Sequence, residues 1–308
     1  MITGKRLLQA ALVTLLCAVW CGCQAPQRYQ RSAGPYTAHE QDQGEQHPLC
    51  AFGMPERESG WDHGPTIVVD RPGYVLEHSS LDKIALWVCE RVEGDHLRGS
   101  ANRKKSRFKP DPRLQPGERA ELVDYRGSGY DRGHQAPAAD FKYSQDRMNG
   151  SFHLSNMAPQ VGSGFNRDIW RFLEQHVRDA VHNREKVFVI TGGMFYDKAE
   201  EDAETADGFV EFKVIGPNLV SVPTHFYKIV VAKDSSGQWQ AIGFVLENRV
   251  YPRAPGGNYD FAPYVQAIDW IEERAGINFM PLLDEDNPDL EERLERKPAE
   301  LWKAFKDN

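Results

Sequence analysis

Apolar runs of strand length, separated by clusters of glycine, proline, serine and aspartate, set the rhythm of the chain from residue 66 to residue 246. Thr66-Ile67-Val68-Val69 and Gly73-Tyr74-Val75-Leu76 flank Arg71-Pro72-Gly73 and predict two strands around a turn. Ile84 to Val88 predicts a third strand, and Phe152-His153-Leu154 a short one. Lys186 to Thr191, Phe209 to Ile215, His225 to Ala232 and Trp239 to Leu246 alternate or run apolar over strand lengths. Ser235-Ser236-Gly237 predicts a hairpin between the last two. The period changes at Asn166. From there Ile169, Phe172, Leu173, Val177 and Ala180 recur at helical spacing through Val181, with Asn166 as a suitable N-cap. Residues 263–275 predict a second helix, begun near Pro263 and closed by Gly276. Strands and helices mixed in this way, without an internal repeat, predict one α+β domain over residues 49–283.

The ends depart from this pattern. Lys5 and Arg6 precede the apolar run Leu7 to Trp20, which is short for a membrane span and has the shape of an export signal over residues 1–23. Gly22-Cys23 has the form of a lipoprotein cleavage point with Cys23 acylated, although Trp20 and Cys21 suit such a box poorly. Lipidation and plain secretion both stay open. The location to expect is exported: periplasmic, extracellular, or lipid-anchored to a bacterial membrane. Residues 24–48 are rich in glutamine and poor in branched apolar side chains, and predict a disordered polar tether. Residues 284–308 predict an acidic, helical C-terminal extension. Beyond the leader only Cys50 and Cys89 remain of the five cysteines, open either to one disulfide or to free buried thiols.

A chain of 308 residues that is 40% hydrophobic can bury a large core. Its formal net charge of -8 argues against a surface that holds nucleic acid everywhere. A local basic groove is still compatible with that balance. Arg98, Arg103, Lys104, Lys105, Arg107, Lys109, Arg113 and Arg119 crowd residues 98–119, against Asp111 and Glu118. Alone, such a run is most simply a solvated face. Here it lies just ahead of the segment with the most chemistry.

That segment is Tyr130-Asp131-Arg132-Gly133-His134-Gln135-Ala136-Pro137. Arg132 and His134 sit two apart, so an extended backbone turns both to one side. One can hold an anionic phosphate while the other, as neutral imidazole, takes a proton from water. Leu154-Ser155-Asn156-Met157-Ala158-Pro159-Gln160 follows, and then Asn166 and Glu174. At roughly 100° per residue, Asn166, Trp170 and Glu174 drift by only about 80° along a helix and share a side. Asn166 offers a neutral oxygen to a divalent cation, Glu174 a carboxylate that reaches the same ion through water, and Asn156 an amide for the transition state or for orienting His134. Each residue alone has a plainer reading: His134 a loop histidine, Arg132 an ion-pair partner of Asp131, Asn166 an N-cap, Glu174 a solvated helix position. Together they point to metal-assisted cleavage of a phosphodiester.

The same residues resemble the signature of the DNA/RNA non-specific endonucleases of the ββα-metal type. Asp124-Tyr125-Arg126-Gly127-Ser128-Gly129, Val189-Ile190-Thr191-Gly192 and Val222-Pro223-Thr224-His225-Phe226 extend the likeness toward the endonuclease G branch, over about residues 50–282. The resemblance implies an α+β fold with a central antiparallel β-sheet, flanking helices and a ββα-metal (His-Me finger) site. It implies His134 as general base, Asn166 as direct ligand of Mg²⁺ (Mn²⁺ substituting), Glu174 as ligand through water, and Arg132 and Asn156 as support for phosphate and transition state. Asp131 and Gln160 would stand behind them. An upstream phosphate-binding arginine is implied too, and Arg103 fits better than Arg107. The expected substrates are DNA and RNA, and a homodimer is expected. The competing readings are a non-catalytic surface nucleic-acid-binding lipoprotein and a phosphodiesterase acting on small nucleotides.

Overall fold

A computed structural model describes residues 27–30, 46–58, 62–182, 184–202, 204–206, 208–283 and 288–305. The leader and most of the tether lie outside the described residues. The described strands are, in chain order, β1 (Gln27–Gln30), β2 (Glu56–Arg57), β3 (Thr66–Arg71), β4 (Tyr74–Ser79), β5 (Ala85–Glu93), β6 (Tyr130–His134) and β7 (Met157–Val161). They continue with β8 (Lys186–Met194), β9 (Phe209–Ile215), β10 (Val220–Val222), β11 (His225–Lys233), β12 (Trp239–Glu247), β13 (Val265–Gln266) and β14 (Ile277–Asn278). The α-helices are α1 (Leu122–Tyr125), α2 (Gln145–Gly150), α3 (Trp170–Val181), α4 (Ile268–Ala275) and α5 (Pro288–Leu294).

Seven strands make the central sheet, in the order β13-β12-β11-β8-β5-β4-β3, every pairing antiparallel. It is covered on both faces, which is why its strands read as nearly unbroken apolar runs. Along β11, Phe226, Val230 and Ala232 enter the core that contains α3, while Tyr227, Ile229 and Val231 enter the core that contains α4. Successive side chains of a strand take opposite faces. Each buried apolar side chain contributes about 1.5–3 kcal/mol. That surplus tolerates one amine in the row: Lys228 falls on the α3 side and is 1% exposed.

The expected strands at 66–69, 73–76, 84–88, 186–191, 209–215, 225–232 and 239–246 all form, and β11 and β12 make the expected hairpin. Gly276 closes α4 in the left-handed region, φ 66°. Phe152-His153-Leu154 is not a strand. His153 only bridges to Lys109, and Leu154–Asn156 make a tight turn. Local bonds win there over a ladder: the His153 ring meets the Gly150 carbonyl at 2.7 Å, and Asn156 Nδ2 donates to the Ser151 carbonyl at 2.9 Å.

Two observations concern the ends. Within the region expected to be a disordered tether, Gln27–Gln30 pair antiparallel with Phe209–Phe212, completing the open edge of β9. Among the described residues of the C-terminal segment, α5 and a single 3-10 turn at Lys303–Phe305 are helical, and that last turn packs onto the domain. Trp302 and Phe305 are buried, with Phe305 4.9 Å from the Phe244 ring and the His176 ring 2.7 Å from the Ala304 carbonyl. Cys50 and Cys89 are free, buried thiols. Among the described residues no helix is long and apolar enough to cross a membrane.

Candidate active site

β6 and β7 form a separate two-stranded ribbon, with Asp131 opposite Gln160 and His134 opposite Met157. The irregular turn Gly162–Ile169 and then α3 follow, so the order strand, strand, helix surrounds the chemistry. The ribbon packs tightly at Gly133. A Cβ there would clash with the Gln160 side-chain amide, and Gln160 is fully buried. Gly133→Ala should therefore destabilise the protein by about 1–3 kcal/mol through overpacking, read as a lower denaturation midpoint. An unchanged midpoint would mean the ribbon is looser than this contact implies.

His134 ends β6 inside an aromatic collar. Its ring lies 4.8 Å from Phe152, edge to face, and 5.8 Å from Phe108. Both collar residues also carry an arginine: the Arg103 guanidinium is 5.5 Å from the Phe152 ring and that of Arg132 is 4.3 Å from the Phe108 ring. Two cations thus rest on the rings around one imidazole, and among the described residues neither has a salt bridge. Burial, with the Arg103 charge added, pushes the His134 pKa down to about 3. Its Nε2 is buried and, among the described residues, has no hydrogen-bond partner. An unpaired buried nitrogen costs about 1–3 kcal/mol. Such a nitrogen is kept where a water or substrate atom is meant to meet it.

Asn166 does not cap the helix. α3 begins at Trp170, because Asp168 (φ -122°, ψ -105°) breaks the helical path and accepts a hydrogen bond from Gly164 N at 2.7 Å. Helical phase therefore does not place Asn166 and Glu174 together; Asp131 places Asn166. Asp131 Oδ2 accepts from Asn166 Nδ2 at 2.8 Å, and its carboxylate also receives Arg167 Nε and Nη2 at 2.7 and 2.5 Å. Burial works to raise the Asp131 pKa, but these bonds outweigh it and hold the group below its ordinary range. With the amide nitrogen committed, the carbonyl oxygen is what Asn166 has left to offer. A neutral oxygen tied to the strand that carries His134, with a carboxylate one helix turn into α3, suits a hard divalent cation that keeps most of its waters.

That carboxylate is Glu174, half-buried above a pit of charge. Glu90, Asp140, Arg178 and Lys228 are all buried there. Arg178 Nη1 donates to Asp140 Oδ1 at 3.0 Å, and Lys228 Nζ to Thr191 Oγ1 at 2.6 Å, with the amine 5.0 Å from the Trp170 ring. Burial raises Glu174 to about 7, while Arg178 and Lys228 pull it back. Burial likewise holds Glu90 far above the carboxylate range and Lys228 below the lysine range. Three acids share two cations, so one proton among the acids balances the pit.

The remaining expectations divide. Asn156 is not free for a transition state. Its Oδ1 accepts from Ala136 N, and its Nδ2 donates to the carbonyls of Ala136 and Ser151, each at 2.9 Å. Both amide atoms are spent on backbone, so Asn156 is a positioning residue that fixes the chain just after His134. Arg103 stands over Phe152 beside His134, whereas Arg107 turns back on its own loop, donating to the Lys104 and Ser106 carbonyls at 2.6 and 2.9 Å. Phe108, Phe152, Arg167 and the buried charged residues Glu90 and Lys228 escaped the sequence reading. The adjacency of Arg167 to Asn166 was the one signal available for that residue.

The family model for DNA/RNA non-specific endonucleases matches residues 62–286. A nuclease of Syncephalastrum racemosum is 39% identical over 223 residues, covering 70% of this chain and 68% of its own length. Human mitochondrial endonuclease G is 34% identical over 233 residues, covering 76% and 73%. A solved structure of the EndoG/EndoGI complex superposes with a TM-score of 0.67 at 32% identity, over 76% of this chain and 91% of that one. The human relative, like several others that match, is named mitochondrial. That finding overturns the expected export to a bacterial periplasm, medium or lipid anchor. The physical reason is that a short basic and apolar leader without acids does not specify which membrane reads it.

Proposed function

The chain belongs to the DNA/RNA non-specific endonuclease family, and on that premise we propose that it hydrolyses phosphodiesters with His134 as general base and a divalent cation held by Asn166 and Glu174. The observation that carries this reading is the His134 Nε2 atom, buried and, among the described residues, without a partner, on a ring whose burial favours the neutral form. Water approaching it loses a proton to the imidazole as its oxygen attacks phosphorus. Arg132 and Arg103, parked on the collar rings, meet the phosphate oxygens. Asn166 would offer its carbonyl oxygen directly to the cation and Glu174 its carboxylate through water. Mg²⁺, with Mn²⁺ as substitute, would neutralise the developing charge on phosphate and leaving oxygen when bound. Asp131 and Arg167 keep Asn166 in place, and Asn156 keeps the loop after His134 from shifting.

Contacts confined to phosphate and sugar carry no base information, in keeping with low sequence preference. The basic run at 98–119 favours a polymer over small nucleotides, and membership of a nuclease family sets aside a purely binding protein. The homodimer expected from the resemblance remains part of this reading. Purified protein should nick plasmid DNA and degrade RNA with Mg²⁺ and lose both activities in EDTA. Full activity in chelator would remove the cation from the reading.

The pH behaviour of the base is separately measurable. A histidine whose pKa is lowered to about 3 by burial stays neutral wherever the unfolded chain, at about 6.5, already takes up a proton. Its share of stability is thus complete above about 6.5 and is lost as pH falls toward 3. In a nuclear magnetic resonance titration of the folded protein from about pH 8 to about pH 5, the His134 ring resonances should not move. A midpoint near 6.5 would show a ring open to solvent and refute the buried-base reading.

A further inference from the structure

A second cleft, of about 380 Å³, opens beside the first hairpin and is lined by Arg71, Arg91, Arg147, His96, Tyr143 and Asp70, with His47 at its rim. We propose that it is a phosphate-binding subsite for the nucleic-acid strand beyond the bond being cut, a proposal that rests on the polymer-cleaving function above. The guanidinium groups outnumber the acids on its wall. Arg71 Nη2 is held by Asp111 at 2.5 Å, yet its Nε is buried with no partner. Arg91 pairs with Glu93 at 2.8 Å and donates to the Pro48 carbonyl at 3.2 Å. Among the described residues no carboxylate pairs with Arg147, which lies 5.4 Å from the Tyr143 ring. Tyr143 in turn stacks on His96, 4.3 Å apart and 16° from parallel. Asp70, the one acid on the wall, is largely exposed and 3.7 Å from His47.

A guanidinium with no carboxylate partner among the described residues, Arg147, beside a stacked ring pair matches a nucleotide: phosphate to arginine, base to ring, without reading which base. The cleft is also tied to the reaction centre. α2 carries Arg147 and spans about 9 Å. It leads directly to Phe152, which touches His134. From the opposite wall, Arg71 binds Asp111, Asp111 binds Ser155, and Ser155 adjoins Asn156, which fixes the loop after His134. The turn that carries Arg103 is tied to the helix that carries Arg147, since Asn102 N donates to Gln145 Oε1 at 2.8 Å, and a strand across Arg103 would take Arg147 as its next anchor.

The test compares kcat/KM on single-stranded oligonucleotides of about 4 and about 20 nucleotides, for the parent, Arg147→Ala and Arg147→Gln, with binding of the long one measured against salt on a His134→Ala background. The preference for the long substrate should fall about 5- to 10-fold in both Arg147 variants, mostly through KM, and the salt slope should drop by about 0.7, the share of one single-strand phosphate contact. A parent that shows no preference for length overturns the proposal without any variant having to fold. So do variants that keep both the preference and the slope. Inorganic phosphate that inhibits the parent and not Arg147→Ala, with the length preference intact in both, would assign the cleft to free phosphate instead. If the parent cuts no nucleic acid at all, it is the proposed function that fails.

Discussion

Replacing His134 by alanine should lower the turnover of plasmid DNA by about 10²- to 10⁴-fold, the usual worth of a positioned general base. That is about 3–5 kcal/mol of activation free energy. KM should change little, because the phosphate is met by Arg132 and Arg103 and the imidazole serves the attacking water. The protein should still fold. The lost ring leaves a space between Phe108 and Phe152, but it also removes a buried nitrogen that had no partner. The comparison is made at saturating Mg²⁺, with circular dichroism confirming the fold. A variant that nicks within tenfold of the parent would show that another group activates the water.

The second large effect is on stability. Lys228→Met should cost about 3–5 kcal/mol in chemical denaturation, as is usual when one partner of a buried charge network is removed. The thioether fills the space of the stem, so the cost is electrostatic. Glu90, Asp140 and Glu174 are left with Arg178 as their one buried counter-charge. Adding Glu90→Gln to Lys228→Met should recover most of the loss, since replacing both members of a buried pair is often near neutral. Equal midpoints for the single and double variants would mean that Glu90 and Lys228 do not sense each other.

These two expectations differ in how visible their residues are along the chain. His134 stands in one contiguous stretch with Asp131 and Arg132, and a strand displays i and i+2 together, so the reading from sequence carried over directly. The central sheet was legible for a similar reason: strands covered on both faces have to be apolar throughout. Lys228 was not legible. A lysine inside His225–Lys233 looks like the polar half of an alternating strand, and nothing nearby names Glu90, more than a hundred positions earlier, as its counterpart. Asn156 was left open in the sequence, between meeting the transition state and orienting His134, for a different reason. An amide can donate to a transition state or to a backbone, and only the folded loop shows that both of its ends are taken. Asn166 was placed at the site through an incorrect helical phase, and a side-chain bond to Asp131 did what periodicity was expected to do.

The buried charges beneath Glu174 also set a limit on transplantation. Every group proposed to touch the scissile phosphate or the cation lies between Arg103 and Glu174, a short stretch that could be excised as one peptide. Yet Glu90 and Lys228 reside on β5 and β11, on either side of that stretch. Grafted onto another scaffold, the excised piece would bring its reactive groups and leave behind the ions that balance them.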